Sequence, residues 1–402
     1  MIIEKSQLQG ELKINPSKSL EHRYIICSFL ADGKIIKPLV KSIDVLSTYQ
    51  ACQNFRKKEK MIYVNSSATT LRLLLPISTL FEYRKTFILN PDLYNRPIDE
   101  YARIFKENNI ELTKRDDNHS MIVDGALKHQ EYVINGDVSS QYTSGLLMAL
   151  PLLNWDSTIV INKTPESVDY VNLTIDVLSK FGVNVNTLRN GYQIKGNQKY
   201  VVPKKIEIEG DYSQAAFFIA AGLLHGGIEI EGLNPNSKQG DKRIIDIAKQ
   251  MGGNLYFDDS NKLIVNKSDL IGTSVDLLNN PDLAPIVMGL SSVARGESEI
   301  YGLRRLKYKE SNRLDSMVEN LKKLNADIVS LSENKIIIKG VPQLSGNIEV
   351  NSFGDHRITM TLAILATIAS GPVSIIGSSS VNKSYPNFFK DLKKLKGKIS
   401  GD

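Results

Sequence analysis

Cysteine is almost missing from this chain of 402 residues: only Cys27 and Cys52 occur, and neither sits in a CxxC pair. Two thiols are too few for a disulfide framework or a cysteine zinc site. Aromatic residues make up 7%, with one Trp, and no stacking motif stands out, which argues against RNA recognition. Long apolar runs are also lacking. The best candidate, Leu71 to Phe81, is broken by Arg72 and Pro76, too short and too interrupted to span a bilayer. The opening MIIEKSQLQG has neither the apolar core of a secretory signal nor the Arg/Ser-rich character of a transit peptide. A cytoplasmic protein is expected. The five histidines, at 22, 119, 129, 225 and 356, show no HExxH or Cys/His spacing, and neither glycine pattern of nucleotide loops occurs. No metal and no cofactor is expected.

What is present is an ordinary globular composition, 42% hydrophobic and 23% charged, able to bury a sizeable core. The length exceeds the roughly 250 to 300 residues at which single cores stop growing, so more than one domain is expected. Lysine plus arginine exceed aspartate plus glutamate by 50 − 44 = 6 without dense basic clusters, which points to small anionic ligands rather than nucleic acid.

The chain repeats itself. One unit runs KKIEIEG, DYSQ, AAFFIAAGLLHGG, IEIEGL: a short alternating strand, a polar turn, a helix-length apolar stretch, a second strand. The same order recurs at EYVING–DVSSQ, at SVDLLN–NPDLA and at GNIEVN–SFGDH, with weaker copies at GELKIN–PSKS–LEHRYIICSFLADG and KMIYV–NSSAT–TLRLLLPISTL. The turns begin at Pro16, Asn65, Gly136, Gly210, Pro281 and Gly354, so the spacings are 49, 71, 74, 71 and 73. Between them an amphipathic helix leading into a hairpin starts at Arg96, Val171, Asp241 and Asn312. In the third of these, Ile244, Ile247, Ala248 and Met251 share one helix face. Asn190-Gly191 and the Asp258 to Lys262 stretch read as hairpin turns. The simplest architecture is six similar α/β units, three per globular half. A solenoid is the competitor, and a period near 70 exceeds the usual range of about 20 to 50 residues.

Each unit sets a Ser, Thr, Asn or Asp turn before a helix, where side-chain oxygens can cap free N–H groups. Capping alone explains any single turn. Several cations beside these starts add a second reading, because a helix N-terminus carries roughly +0.5 charge and attracts phosphate or carboxylate. Lys18 and Arg23 flank one start, Arg72 and Arg96 two others, and Lys309, Arg313 and Arg357 follow. In KESNR a helix would put Lys309 and Arg313 on one face with Glu310 one step around. Glu310 is then either part of a surface ion-pair ladder or an acid and base held among cations. Asp282 in NNPDLAP is an N-cap, or a general base if it faces a ligand.

PSKSLEHR, NSSATTLR, RPIDEYARIF, GDVSSQYTSGLLMALPL, GDYSQAAFFIAAG, QGDKR, PDLAP, KESNRL, FGDHRITM and NKSYPNFF, in this order across nearly the whole chain, resemble the 5-enolpyruvylshikimate-3-phosphate synthase family. The resemblance implies a two-domain inside-out α/β barrel of six βαβαββ-type repeats, three per domain. One domain would combine residues 1–14 with 210–402 and the other would be 15–209, with the active site in the interdomain cleft. It implies transfer of the enolpyruvyl group of phosphoenolpyruvate to the 5-hydroxyl of shikimate 3-phosphate, with no cofactor, no nucleic-acid or membrane partner, and a monomer. By motif match, Asp282 would be the base for the hydroxyl, Glu310 the group exchanging a proton with the methyl carbon, and Lys18 a contact of both substrates. Ser19, Arg23, Ser139, Ser140, Gln141, Ser167, Tyr170, Asp282 and Lys309 match shikimate-phosphate contacts. Ala68, Arg96, Gln141, Arg313, Arg357 and Lys383 match phosphoenolpyruvate contacts.

The sequence also departs from the family pattern. Asn15-Pro16 replaces a Pro-Gly, Ser66 a usual Asn and Ala68 a frequent Gly. The added methyl leaves room for phosphoenolpyruvate and should crowd a longer analogue, so weak inhibition by glyphosate is expected. Arg305 stands where some members have a polar ligand-facing Asn, and its role is open. The sister transferase acting on UDP-N-acetylglucosamine carries a reactive cysteine before its Arg-Pro segment; here that loop reads FILNPDLYNRP. A non-catalytic anion-binding relative is the other alternative.

Overall fold

Three helices hydrophobic on every side, Tyr212–His225, Ala284–Ser291 and His356–Ala366, pack against one another in the first of two compact units. A helix apolar all round must be buried all round, and almost every residue of these three is. The computed structural model describes residues 1–128 and 130–401. The first unit comprises Met1–Ser17 with Glu209–Asp402, and the second Lys18–Ile208, so the chain passes between units twice.

Five four-stranded sheets occur among the described residues, three in the first unit and two in the second, and all share one wiring. A parallel pair comes first, and a hairpin is added antiparallel to its second strand through the hairpin's later strand. Glu131–Asn135 lies parallel to Ser157–Asn162, which pairs with Gly191–Ile194, which pairs with Val185–Leu188. The sheets built on Met61–Asn65 and Ser274–Asp276 follow the same order. The parallel pairs require a crossover helix, and these are the buried helices.

Two sheets take strands from distant parts of the chain. Ile348–Asn351 and Val373–Ile376 are parallel, and the positions of the hairpin are filled by Ile2–Glu4 and Lys398–Ser400, from opposite ends of the chain. Gly10–Lys13 pairs in parallel with Ile228–Glu231. The first repeat is divided between the units: its strand GELK belongs to the first and its helix Lys18–Leu30 to the second. Among the described residues no sheet accompanies that helix and its neighbour Ile43–Arg56.

Local chemistry sets the ends of the buried helices. Asp211 caps Tyr212–His225 by accepting the Gln214 N–H at 3.0 Å, and Gly226, at φ 88°, ends it where a side chain would be strained. In the second unit Ala68–Ser78 and Ser140–Ala149 pack so closely that a Cβ on Gly145 would lie 2.7 Å from the Arg72 carbonyl oxygen. No helix among the described residues is long and apolar enough to cross a membrane.

Candidate active site

In the first unit the candidate residues converge on a single guanidinium. Arg313 is 1% exposed and opens the helix Arg313–Lys323. Its Nη1 donates to Asp282 Oδ1 at 2.9 Å, its Nη2 to Glu310 Oε2 at 2.7 Å, and its Nε to Asp355 Oδ2 at 2.8 Å. Three carboxylates from separate segments therefore meet on one cation. Asp282 is also held by Arg357 Nη2 at 2.8 Å and Lys309 Nζ at 3.2 Å, and Lys383 Nζ lies 3.9 Å from Glu310 Oε1. Asp282, Lys309, Glu310, Arg313, Arg357 and Lys383 are all brought together.

The segment Lys309–Asn312 is not helical, contrary to the helical reading of KESNR. A short 3-10 turn Arg304–Tyr308 ends before it and the α-helix starts at Arg313. Lys309 and Arg313 still share a partner, because the turn folds both towards Asp282. Asp282 is not a side-chain cap either: Leu283 occupies the cap position of Ala284–Ser291 with no side-chain bond. Arg305 donates to the Leu278 carbonyl at 2.7 Å, bracing the turn that leads to Asp282.

Burial pushes the Asp282 carboxyl up, but Arg357, Lys309 and Arg313 outweigh it and hold the group well below the usual carboxylate range. Burial lowers the Lys309 ammonium to about 8, opposed by Asp282 and helped by Arg313 and Arg305. Asp241, on the turn Gly240–Arg243, is raised to about 6 by burial and by the charge of Asp282.

The second unit gathers its own set. Lys18, the first residue of Lys18–Leu30, forms a 2.8 Å ion pair with Asp44, a partner that no sequence motif flagged. Arg23 is buried and ties two helices together: Nη1 donates to the Ser19 carbonyl at 2.7 Å, Nη2 to the Tyr170 carbonyl at 3.0 Å and Nε to Thr174 Oγ1 at 2.8 Å. Desolvation lowers its guanidinium to about 10. Ser167, before Val168–Lys180, is buried at φ 56°, ψ 42°, a left-handed conformation uncommon for a serine.

Gln141, on Ser140–Ala149, accepts from Arg72 Nη1 at 3.1 Å and donates to Thr69 Oγ1 at 2.9 Å. Ser139 caps that helix by accepting the Gln141 N–H at 3.3 Å. Arg72 also donates to the Pro97 carbonyl at 3.0 Å and lies over the Tyr142 ring. Arg96 is in the same neighbourhood, close enough for its charge to act on Arg72. Ala68 is buried as the first residue of Ala68–Ser78, whose cap is Ser67. Ser66 donates to Asp92 Oδ1 at 2.8 Å and accepts from Asn90 at 3.0 Å.

Beneath Lys18 runs a buried polar chain: His22 Nδ1 to Thr48 Oγ1 at 2.6 Å, Thr48 to Thr70 at 2.6 Å, Thr70 to Ser67 Oγ at 2.8 Å. Thr70 donates its only proton onward, so Thr48 donates to Thr70 and His22 donates through Nδ1. Burial lowers the His22 imidazole to about 3, consistent with a neutral ring. His129 lies outside the described residues. Cys27 and Cys52 are both fully buried, and burial pushes their thiols up, away from nucleophilic reactivity.

Sequence motifs found most of these residues. They missed Asp355 and Thr69, which stood unused inside FGDHR and NSSATTLR, and Asp44 and Thr48, for which an isolated polar residue in an ordinary helix gave no signal.

Known proteins resemble this chain from end to end. The family model for EPSP synthase (3-phosphoshikimate 1-carboxyvinyltransferase) matches residues 2–61 and 53–392. A 3-phosphoshikimate 1-carboxyvinyltransferase from Clostridium perfringens is 39% identical, covering 100% of this chain and 99% of the relative. One from Clostridioides difficile is 37% identical, covering 99% and 97%. Among solved structures, EPSP synthase from Acinetobacter baumannii superposes with a TM-score of 0.78 at 23% identity over 98% of this chain and 97% of that one. The enolpyruvyl transferase NikO from Streptomyces tendae gives 0.76 at 12% over 99% and 98%, a likeness of fold. With a full-length family match and relatives this similar from end to end, the chain belongs to the EPSP synthase (3-phosphoshikimate 1-carboxyvinyltransferase) family.

Proposed function

We propose that this chain transfers the enolpyruvyl group of phosphoenolpyruvate to the 5-hydroxyl of shikimate 3-phosphate, and that the residues described above divide the work. The observation that carries the residue roles is the convergence of Asp282 and Glu310, two carboxylates, on Arg313 within a ring of cations. Addition followed by elimination needs one group to take the hydroxyl proton and one to give and retake a proton at the vinyl carbon, with an anion clamp around both.

In this reading Asp282 accepts the proton of the 5-hydroxyl as its oxygen bonds to C2 of phosphoenolpyruvate, while Glu310 delivers a proton to C3. The adduct then loses a methyl proton to Glu310, the double bond re-forms, and the C2–O bond to phosphate breaks. Lys18 neutralises the departing phosphate. Arg96, Arg313, Arg357, Lys383, Gln141 and Ala68 surround phosphoenolpyruvate, and Ser19, Arg23, Ser139, Ser140, Gln141, Ser167, Tyr170 and Lys309 surround shikimate 3-phosphate.

The ion pairs give Asp282 a specific problem and its solution. Cations hold it too acidic to be a good base. A substrate carboxylate arriving at Arg313 and Arg357 competes for those donors and offsets their field, which raises the Asp282 pKa towards working range. The substrate thereby arms its own base.

The competing UDP-N-acetylglucosamine reading is disfavoured by the buried thiols and by the cysteine-free loop of residues 87–97. Phosphate release from phosphoenolpyruvate that depends on shikimate 3-phosphate, and that falls by at least about a thousandfold in Glu310→Gln, is the expected result for loss of a proton-transfer group. Release dependent on UDP-N-acetylglucosamine instead would reassign the activity.

A further inference from the structure

Asp355 is a fully buried carboxylate that neither sequence motif nor proposed chemistry has used. It has two sets of contacts. Oδ2 accepts from Arg313 Nε at 2.8 Å, and Oδ1 lies 3.4 Å from Nη2, a two-point grip along one edge of the guanidinium. Oδ1 also accepts the backbone N–H of Arg357 at 2.9 Å, capping His356–Ala366.

We propose that Asp355 is a positioning residue that seats both arginines of the anion clamp, Arg313 through its side chain and Arg357 through its backbone. A cap by itself does not call for charge: Asn or Ser caps a helix as well as Asp does, and without the desolvation of a buried anion. The carboxylate is therefore matched to Arg313. By holding the Nε edge it fixes the plane of the guanidinium and directs the Nη groups towards Asp282 and Glu310. By capping the helix at the Arg357 N–H it sets where the second arginine leaves the backbone, and Arg357 reaches the same Asp282. One residue thus sets the separation of two forks, and a planar carboxylate ligand is sensitive to that separation.

The inference rests on the family reaction, and the test separates the two. Asp355→Asn keeps the cap and removes the charge facing Arg313. The expected result is a KM for phosphoenolpyruvate raised roughly 10- to 100-fold, the loss of one well-placed charge-assisted contact. The turnover number should change less, and the dissociation constant of shikimate 3-phosphate measured alone should rise clearly less than the KM for phosphoenolpyruvate, because Asp355 reaches Asp282 only through the arginines. An unchanged KM for phosphoenolpyruvate, or parallel weakening of both substrates as in a merely structural role, would overturn the inference. If Asp355→Asn does not fold, Asp355→Glu keeps the charge and displaces it; the same phosphoenolpyruvate-selective rise is expected, and an unchanged value overturns the proposal. Absence of turnover in the unaltered protein would overturn the family reading and this inference with it, whereas an active parent with an unaffected variant overturns the inference alone.

Discussion

Arg313 shows how far a single side chain can organise a site. A guanidinium has five N–H donors in a fixed plane, and this one makes four hydrogen bonds, to Asp282, Glu310 and Asp355. Isolated buried charges are costly, and here each is matched by at least one opposite partner. Lys309 is the member whose charge is least secure. With burial lowering it to about 8, its ammonium is present below that pH and lost as pH rises through it. The value of kcat/KM for shikimate 3-phosphate, which reports the free enzyme, should therefore fall above about pH 8, and Lys309→Arg should remove that limb because arginine stays charged. A profile flat to higher pH in the parent, or an identical limb in the variant, would contradict the assignment. Ala68 makes a second residue-scale prediction: glyphosate should inhibit weakly, and Ala68→Gly should sharpen inhibition. Submicromolar inhibition of the unaltered protein, competitive with phosphoenolpyruvate, would refute it. Charged candidates were legible in sequence at this scale because they stand beside helix starts. Asp355 was not, since the same letter in the same motif reads equally well as an ordinary cap.

Helix starts do more in this fold than begin helices. The buried chain from His22 through Thr48 and Thr70 to Ser67 connects Lys18–Leu30, Ile43–Arg56 and the cap of Ala68–Ser78. It couples the element bearing Lys18 to the one bearing Ala68. Thr48→Val conserves shape and breaks two of its bonds, leaving buried donors and acceptors unmatched. Urea unfolding should show a loss of about 1 to 3 kcal/mol, with most of it regained in Thr48→Ser. No measurable loss would mean the hydroxyls contribute nothing net. Apolar periodicity could announce the helices themselves, as Ile244, Ile247 and Ala248 do on the buried face of Ile244–Gln250. It could not announce the break at Lys309–Asn312, because helical spacing and a folded turn both bring Lys309 and Arg313 to the same partner.

The whole molecule repeats one wiring, and repetition was readable from evenly spaced polar turns. What spacing could not convey is membership. GELK looks like the strand of its own repeat, yet its ladder partner is Ile228–Glu231, far along the chain. Ile2–Glu4 likewise completes a sheet whose other strands come from the C-terminal region. Alternating apolar residues specify which face is buried and not which strand lies alongside. The most direct measurement is a crystal structure of Glu310→Gln grown with phosphoenolpyruvate and shikimate 3-phosphate. The account predicts phosphoenolpyruvate within hydrogen-bond distance of Arg313, Arg357 and Lys383, with shikimate 3-phosphate beside Asp282. Either ligand gripped elsewhere would contradict it.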